Sequence, residues 1–226
     1  MNCSILCTTF YLLFVVANTH AQTLLLEGNL DDWQLEIKKG KTQYLPIMDM
    51  EQGVVIRAQS MNSASAYVYD HTVNLLKTPI IKWQWTAQQL PSALVVGEDG
   101  IERTQAFDET KLSGDDFVLR VSVGLKPLFS AAKTLHYVWS SQQPIGSHWA
   151  IDEHTRVLVI SGEAQTSMKW QTQMRHVQKD WLAVFDEKIQ SLDFVSFMTD
   201  TDNINGQAIG YYGDMQMLAG QSLASE

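Results

Sequence analysis

Two stretches of alternating sequence decide the fold class: IIKWQWTA at residues 80–87 and FVLRVSVGL at residues 117–125. In the first stretch Ile81, Trp83 and Trp85 lie on one face, and polar residues lie on the other. An apolar residue at every second position is typical of a β-strand that buries one face against a core. Both stretches therefore indicate strands of a sheet that covers a large apolar interior.

The same alternation recurs along most of the chain. It predicts further strands at residues 24–34, 53–59, 65–69, 134–140, 156–161, 192–199 and 208–218. The apolar residues of segment 172–185 instead follow a period of about 3.6, which predicts an amphipathic helix. Segment 88–114 is weakly patterned and is interpreted as an extended loop. Since each parallel crossover needs its own helix, we predict an all-β fold: an antiparallel β-sandwich or jelly roll with one amphipathic helix.

The first residues indicate export. Met1 to Ala21 contains a nearly continuous apolar run and small residues before a cleavage site, as in a secretory signal peptide. The run of roughly 13 residues is shorter than the 20 or so of a membrane-spanning helix, although an uncleaved anchor remains the alternative. We predict a signal peptide at 1–21, cleaved near Ala21, a single domain at 22–226 without a transmembrane segment, and a periplasmic or secreted location.

Composition excludes two classes of protein. The 226 residues include 16 Lys and Arg against 25 Asp and Glu, a formal net charge of −9, so the chain lacks the basic character of a nucleic-acid binder. Aromatic residues make up 10% of the chain, which is too much apolar area for a disordered protein. Both cysteines, Cys3 and Cys7, leave with the signal peptide, so the mature chain forms no disulfide.

Charged residues in the second alternating stretch are the first candidates for a site. Asp116 and Arg120 fall on the face opposite the apolar row, with Asp115 next to them. At about 3.3 Å per residue, Asp116 and Arg120 are about 13 Å apart along a strand, so they need partners from other strands. Such residues form either the polar floor of a binding site or an ordinary solvated face.

The segment TDTDNING at residues 199–206 concentrates oxygen ligands. Asp200, Asp202 and Asn203 are the residue types that calcium prefers, and we take them as candidate metal ligands. The spacing does not match an EF-hand loop. A turn in which Asp and Asn side chains bind their own backbone explains the same residues without an ion, so both interpretations stay open. Calcium is the one cofactor that the sequence suggests.

The predicted helix and the last strand supply the remaining candidates. On the helix, the spacing pairs His176 with Asp180, and Arg175 either reaches a carboxylate of the floor or belongs to a solvated stripe. Asp214 can form a carboxylate pair with Asp116, as glycoside hydrolysis requires, if the two lie about 5–10 Å apart. The full set of predicted ligand-binding residues is Asp115, Asp116, Arg120, Trp139, Arg175, Asp180 and Asp214.

Enzyme motifs are scarce. The sequence contains no nucleophile-elbow G-x-S-x-G, no H-E-x-x-H, no phosphate-binding loop and no dinucleotide-binding G-x-G-x-x-G. His136 and Tyr137 are neighbours on a predicted strand, so they point to opposite faces and do not share a site. Whether the protein is an enzyme stays open at this point.

Together these blocks resemble a known family. The order WQW, GDDFVLRVSVGL, LHYVWS, RVLVISG, WQTQMRHVQKDWLAVF and FVSFMTDTDNINGQAIGYYGDM is similar to the bacterial domain-of-unknown-function family 3047 (DUF 3047). The resemblance covers most of the mature chain and implies the fold, but this family brings no established activity. Asp186 departs from it, since a glycine is expected after the helix. The chain also looks like jelly-roll modules that bind or cleave carbohydrate, an analogy at the level of the fold.

We therefore expect an exported, soluble, non-catalytic β-sandwich that binds a glycan or a similar polar ligand. The alternative is a polysaccharide-active enzyme, a hydrolase or a lyase, on the same fold. A third, purely structural interpretation pairs Asp116 with Arg175 and Asp180 with Arg120, so that the four residues fix the helix onto the sheet.

Overall fold

The computed structural model describes residues 21–162 and 168–220, and these residues fold into β-strands with a single α-helix. The strands are β1 (Ala21–Leu25), β2 (Gln34–Lys39), β3 (Gln43–Asp49), β4 (Gly53–Met61), β5 (Ala64–Tyr69), β6 (Val73–Asn74), β7 (Ile80–Val96), β8 (Glu102–Gln105), β9 (Arg120–Leu125), β10 (Lys133–Ser140), β11 (His148–Ala150), β12 (Thr155–Gly162), β13 (Gln171–His176), β14 (Ser191–Leu192), β15 (Phe194–Asp200) and β16 (Gly206–Leu218). Helix α1 spans Val177–Phe185, and a 3-10 turn spans Leu112–Gly114.

Two seven-stranded sheets form the sandwich. Sheet A has the order β13-β7-β16-β4-β3, with β1 added on β16 and β8 added on β7. Sheet B has the order β11-β12-β10-β9-β15-β5-β2, and β6 and β14 pair separately. Neighbouring strands are antiparallel except β10 and β12, which run parallel. The all-β sandwich or jelly roll with one helix is therefore confirmed.

The core lies between the two sheets and is rich in aromatic residues. Trp83 and Trp85 of β7 face Tyr137 of β10, with ring centroids of Trp83 and Tyr137 5.6 Å apart. Each of these rings is fully buried. A buried aromatic side chain removes roughly 150–250 Å² from water, or about 4–6 kcal/mol of transfer free energy at 25 cal/mol per Å². The alternation read at residues 80–87 therefore identifies the core face correctly.

The extended loop predicted at residues 88–114 is wrong over its first half. Strand β7 continues to Val96 and turns back through β8, because β16 supplies a long partner along its length. The pairing of β7 with β16 contains several bulges, which break the strict alternation of apolar and polar residues that predicts a strand.

The predicted helix is half right. Residues 171–176 form β13, which pairs with the free edge of β7, and the helix begins only at Val177. Pairing with an available sheet edge thus outweighs a helical apolar period over this half of the segment. Similarly, β9 begins at Arg120 and not at Phe117, because the chain bends at Val118 and Leu119 before it joins the sheet.

The predicted signal peptide lies outside the described residues apart from Ala21, which opens β1. In residues 21–162 and 168–220 there is no helix that is both long enough and apolar enough to span a bilayer.

Candidate functional site

A groove of about 230 Å³ crosses the outer face of sheet B, and we call it the transverse groove. Six neighbouring strands contribute to it: β12, β10, β9, β15, β5 and β2. At about 4.8 Å between strands, six strands span roughly 24 Å. The lining residues are Glu36, Lys38, Ala66, Val68, Arg120, Ser122, Lys126, Ala132, Thr134, His136, Thr155, Phe194, Ser196 and Met198. The groove therefore covers a broad area of this face, across six strands and along β9 from Arg120 to Lys126.

Strand register builds a polar row on the floor of the groove. Ser122 of β9 lies opposite Ser196 of β15 on one side and opposite His136 of β10 on the other. The Ser122 Oγ and the His136 Nδ1 are 2.7 Å apart, a hydrogen bond. Ser122 and Ser196 are only 3% and 8% exposed, although they point away from the core. The outer face of sheet B thus carries polar groups that are shielded from water. On an ordinary solvated sheet face, such side chains are exposed.

His136 is held in its uncharged form. Its pKa lies well below the usual histidine value because the ring is desolvated, and the positive charges of Arg120 and Lys38 add repulsion. At neutral pH the imidazole therefore offers one donor and one acceptor.

Arg120 lines the groove at the start of β9 and lies beside four aspartates, which we call the acidic cluster: Asp115, Asp116, Asp200 and Asp202. Its Nη2 donates to the Asp200 Oδ2 at 2.9 Å and to the Asp115 main-chain oxygen at 2.8 Å. Its Nη1 donates to the Asp115 Oδ2 at 3.3 Å. Arg120 therefore pairs within the cluster, and not with Asp180.

The acidic cluster also fastens the turn after β15 to the segment before β9. The Asp116 Oδ2 accepts the main-chain N–H of Ile204 at 2.7 Å, and its Oδ1 accepts the Asn203 side-chain amide at 3.3 Å. The Asp200 Oδ1 accepts the main-chain N–H of Phe117 at 3.1 Å. These bonds join two parts of the chain more than 80 residues apart, which explains why polar side chains stay buried here.

Burial raises the pKa values of these carboxyls. The pKa of Asp200 is raised to about 8 by desolvation, against the attraction of Arg120 and with the repulsion of Asp116 and Asp115 added. Desolvation also raises the pKa values of Asp115 and Asp116. Although burial opposes the charge of Arg120, attraction to Asp115, Asp200 and Asp116 outweighs it and raises the arginine pKa. The cluster therefore keeps Arg120 charged and holds a proton on Asp200 at neutral pH.

The cluster has the spacing of a cation site. One carboxylate oxygen from each of Asp116, Asp200 and Asp202 lies within 4.8 Å of the others. These three carboxylates, with the nearby Asn203, can hold a hard cation such as calcium. Competing partners are already in place, since Arg120 and main-chain N–H groups bind the oxygens of Asp116 and Asp200.

Arg175 and Asp180 form a separate pair. The Arg175 Nε and Nη2 donate to the two Asp180 oxygens at 2.8 and 2.5 Å, and the Tyr137 hydroxyl donates to the Asp180 Oδ2 at 3.0 Å. The pair connects β13, α1 and β10, and it contacts neither Asp116 nor Arg120. The predicted helical pairing of His176 with Asp180 is wrong, because residue 176 still belongs to β13.

Two other predicted binding residues lie away from the groove. Asp214 stands on β16 of sheet A, accepts the main-chain N–H of Glu27 at 2.9 Å, and lines a different cavity with Lys82, Gln84 and Gln216. Its position in the other sheet separates it from Asp116, so the carboxylate pair suggested for hydrolysis does not form. Trp139 is 2% exposed and packs in the core.

Of the predicted set, the structure gathers Asp115, Asp116, Arg120, Asp200, Asp202 and Asn203, and only Arg120 also lines the groove. Ser122, Ser196 and His136 are not among the predicted site residues. Alternation does place Ser122 beside Arg120 on the outward face of β9. The contact with His136 depends on the register of β9 and β10, which the sequence does not give.

Fold and site together define a β-sandwich protein with a polar groove across the outer face of one sheet. The chain belongs to DUF3047, a family described as protein of unknown function, whose model matches residues 29–216. A search of curated protein sequences found no match.

Several solved structures share a distant likeness. A cellulase derived from Cel12A of Rhodothermus marinus is 10% identical, with 89% of this chain and 100% of that chain covered and a TM-score of 0.38. A lectin from Bauhinia forficata in complex with GalNAc is 10% identical, with 88% and 99% covered and a TM-score of 0.36. The active domain of tailspike protein 4 from bacteriophage CBA120 is 8% identical, with 82% of this chain covered and a TM-score of 0.35. This chain spans only 20% of that tailspike chain.

Proposed function

We propose that the protein binds a glycan, or a similar elongated polar ligand, in the transverse groove. One observation carries this proposal: Ser122, Ser196 and His136 form a recessed polar row on a sheet face that points away from the core. Recessed hydroxyl and imidazole groups retain donors and acceptors that a ligand can use.

Apolar side chains lie next to this polar row. Ala66, Val68, Phe194 and Met198 form a small cluster on the same outer face and also line the groove. A sugar ring presents hydroxyl groups at its edge and an apolar face, so a floor of both kinds suits it. A lining that extends across six strands suits a ligand longer than a single sugar ring.

The acidic cluster and the Arg175–Asp180 pair receive a structural role in this proposal. Their charged groups already bind one another or the main chain. We also propose that the protein works outside the cytoplasm, in the periplasm or secreted, on the basis of the signal-peptide pattern at residues 1–21.

A matched pair of blocking variants tests the site. Thr134 lines the groove, whereas Thr172 of β13 is exposed on sheet A and lies opposite Gln84 of β7. On a glycan array, Thr134→Trp should abolish the signal of the wild-type protein, and Thr172→Trp should retain it. Equal signals from both variants, or no signal from the wild-type protein on any glycan, would refute the proposal.

A second candidate function is cleavage of a polysaccharide, and the Ser122–His136 hydrogen bond favours it. An uncharged imidazole in a groove, positioned by a neighbouring hydroxyl, can accept a proton from a bound substrate. Release of reducing or unsaturated sugar ends, lost in His136→Gln, would establish turnover. Binding without release of sugar ends would leave the protein a binding module.

A further inference from the structure

The charges of the transverse groove differ in sign from those of the whole chain. The chain has a net charge of −9, yet the groove is lined by three cationic side chains, Lys38, Arg120 and Lys126, against one carboxylate, Glu36. An anionic ligand would therefore meet the two exposed lysines Lys38 and Lys126 in the groove of an otherwise acidic protein, whereas Arg120 is already paired with Asp115 and Asp200.

Two of these cations can accept a new partner at little cost. Among the described residues, no carboxylate lies within ion-pair distance of Lys38, which is exposed on β2. Lys126 pairs with Asp70 at 2.8 Å, but the two side chains are 41% and 45% exposed. Exposed pairs of this kind are weak, so the lysine can exchange Asp70 for a ligand carboxylate.

Arg120 also retains unused hydrogen-bonding capacity. Its side chain is 3% exposed, and the protein takes three donor interactions from its five N–H groups. The Nε–H group has no acceptor within residues 21–162 and 168–220. Because this Nε atom is buried, Arg120 adds positive charge to the groove without offering that donor to a ligand.

We propose that the ligand is an acidic polysaccharide that carries uronic-acid carboxylates, with Lys38 and Lys126 pairing with those carboxylates along the groove. The inference deepens the proposed function and rests on it. The polar row and the apolar cluster bind the sugar rings, and the two lysines select the charge. A polyanion without sugar rings would pair only with the lysines and would not contact the polar row or the apolar side chains.

The test compares polymers that differ only in charge. Polygalacturonate and alginate are each paired with their own esterified form, in which the carboxylates are neutral. We expect at least one acidic polymer to bind at least tenfold more tightly than its ester in affinity electrophoresis or calorimetry. We also expect this preference to shrink as salt is raised, because exposed charges are screened.

The variants assign the preference to the groove. The double variant Lys38→Ala/Lys126→Ala should lose most of the preference for the acidic polymer over its ester. The control Lys77→Ala/Lys111→Ala removes two exposed lysines outside the groove, changes the net charge equally and should retain the preference. Equal affinity for acid and ester, or for poly-glutamate, would overturn the acidic-polysaccharide inference. Binding of neutral glycans that Thr134→Trp abolishes would then leave the groove proposal standing. Failure to bind any glycan would overturn both.

Discussion

Removing the guanidinium of Arg120 should cost the protein several kcal/mol of stability. The side chain is 3% exposed, and it pairs with Asp200, which is 4% exposed, and with Asp115. Breaking a buried pair on one side typically costs about 3–5 kcal/mol, because the remaining charge is left without a partner. For Arg120→Met we expect about 3 kcal/mol at pH 7, the lower end, since Asp200 already holds a proton there and the charge left without its partner is that of Asp115.

The loss of stability caused by Arg120→Met should grow as pH rises. Loss of Arg120 raises the pKa of Asp200 beyond its wild-type value of about 8, so the variant continues to lose stability above pH 8 while the wild-type contribution has levelled off. Urea unfolding followed by tryptophan fluorescence at pH 7 and pH 9 measures both effects. Arg103→Met is the control, because Arg103 pairs with Asp99 on the surface, and its midpoint should not change. A loss below about 1 kcal/mol for Arg120→Met at both pH values would refute the reasoning.

Three further predictions follow from single residues. The wild-type contribution of Asp200 to stability is present at low pH and is lost as pH rises from about 4 to about 8, because the native state keeps a proton that the unfolded chain has released. Urea unfolding curves across this range should show the decline in stability, and Asp200→Asn should reduce it. Asp186 ends helix α1 with a φ of +56°, a conformation that suits glycine, so Asp186→Gly should raise stability by about 1 kcal/mol in urea, and a loss would contradict this. Phe129 is 99% exposed in the turn between Lys126 and Ala132, both of which line the groove. Phe129→Ala should leave the melting temperature unchanged and weaken glycan binding several-fold, because the ring can stack on a sugar. Unchanged affinity would exclude this stacking role.

The alternating stretches predict the fold class correctly, because a strand that buries one face leaves an apolar residue at every second position. Trp83 and Trp85 sit two residues apart, and their shared face is set by strand geometry alone. The start of α1 was harder to predict. Residues 171–176 carry part of a helical pattern and no apolar alternation, yet they form a strand because they pair with the free edge of β7, about 90 residues away.

The candidate site depended on contacts that are distant in sequence. The polar residues Asp115, Asp116 and Arg120 were identifiable, since charges in an apolar strand need partners when buried. Their partner Asp200 was identified only as a calcium ligand. The bend at residues 118–119 brings Asp115 to Arg120, and the pairing of β9 with β15 brings Asp200 to the same arginine. Neither contact leaves a local pattern in the sequence.

The most direct test of the central claim is the location of the bound glycan. Backbone amide shifts in heteronuclear NMR, recorded during titration with an oligosaccharide of the glycan that gives the strongest array signal, map the contact surface. Binding in the transverse groove predicts shifts centred on Ser122, His136 and Ser196 of β9, β10 and β15. Shifts confined to the outer face of sheet A, around Gln84 and Gln216, would contradict the account.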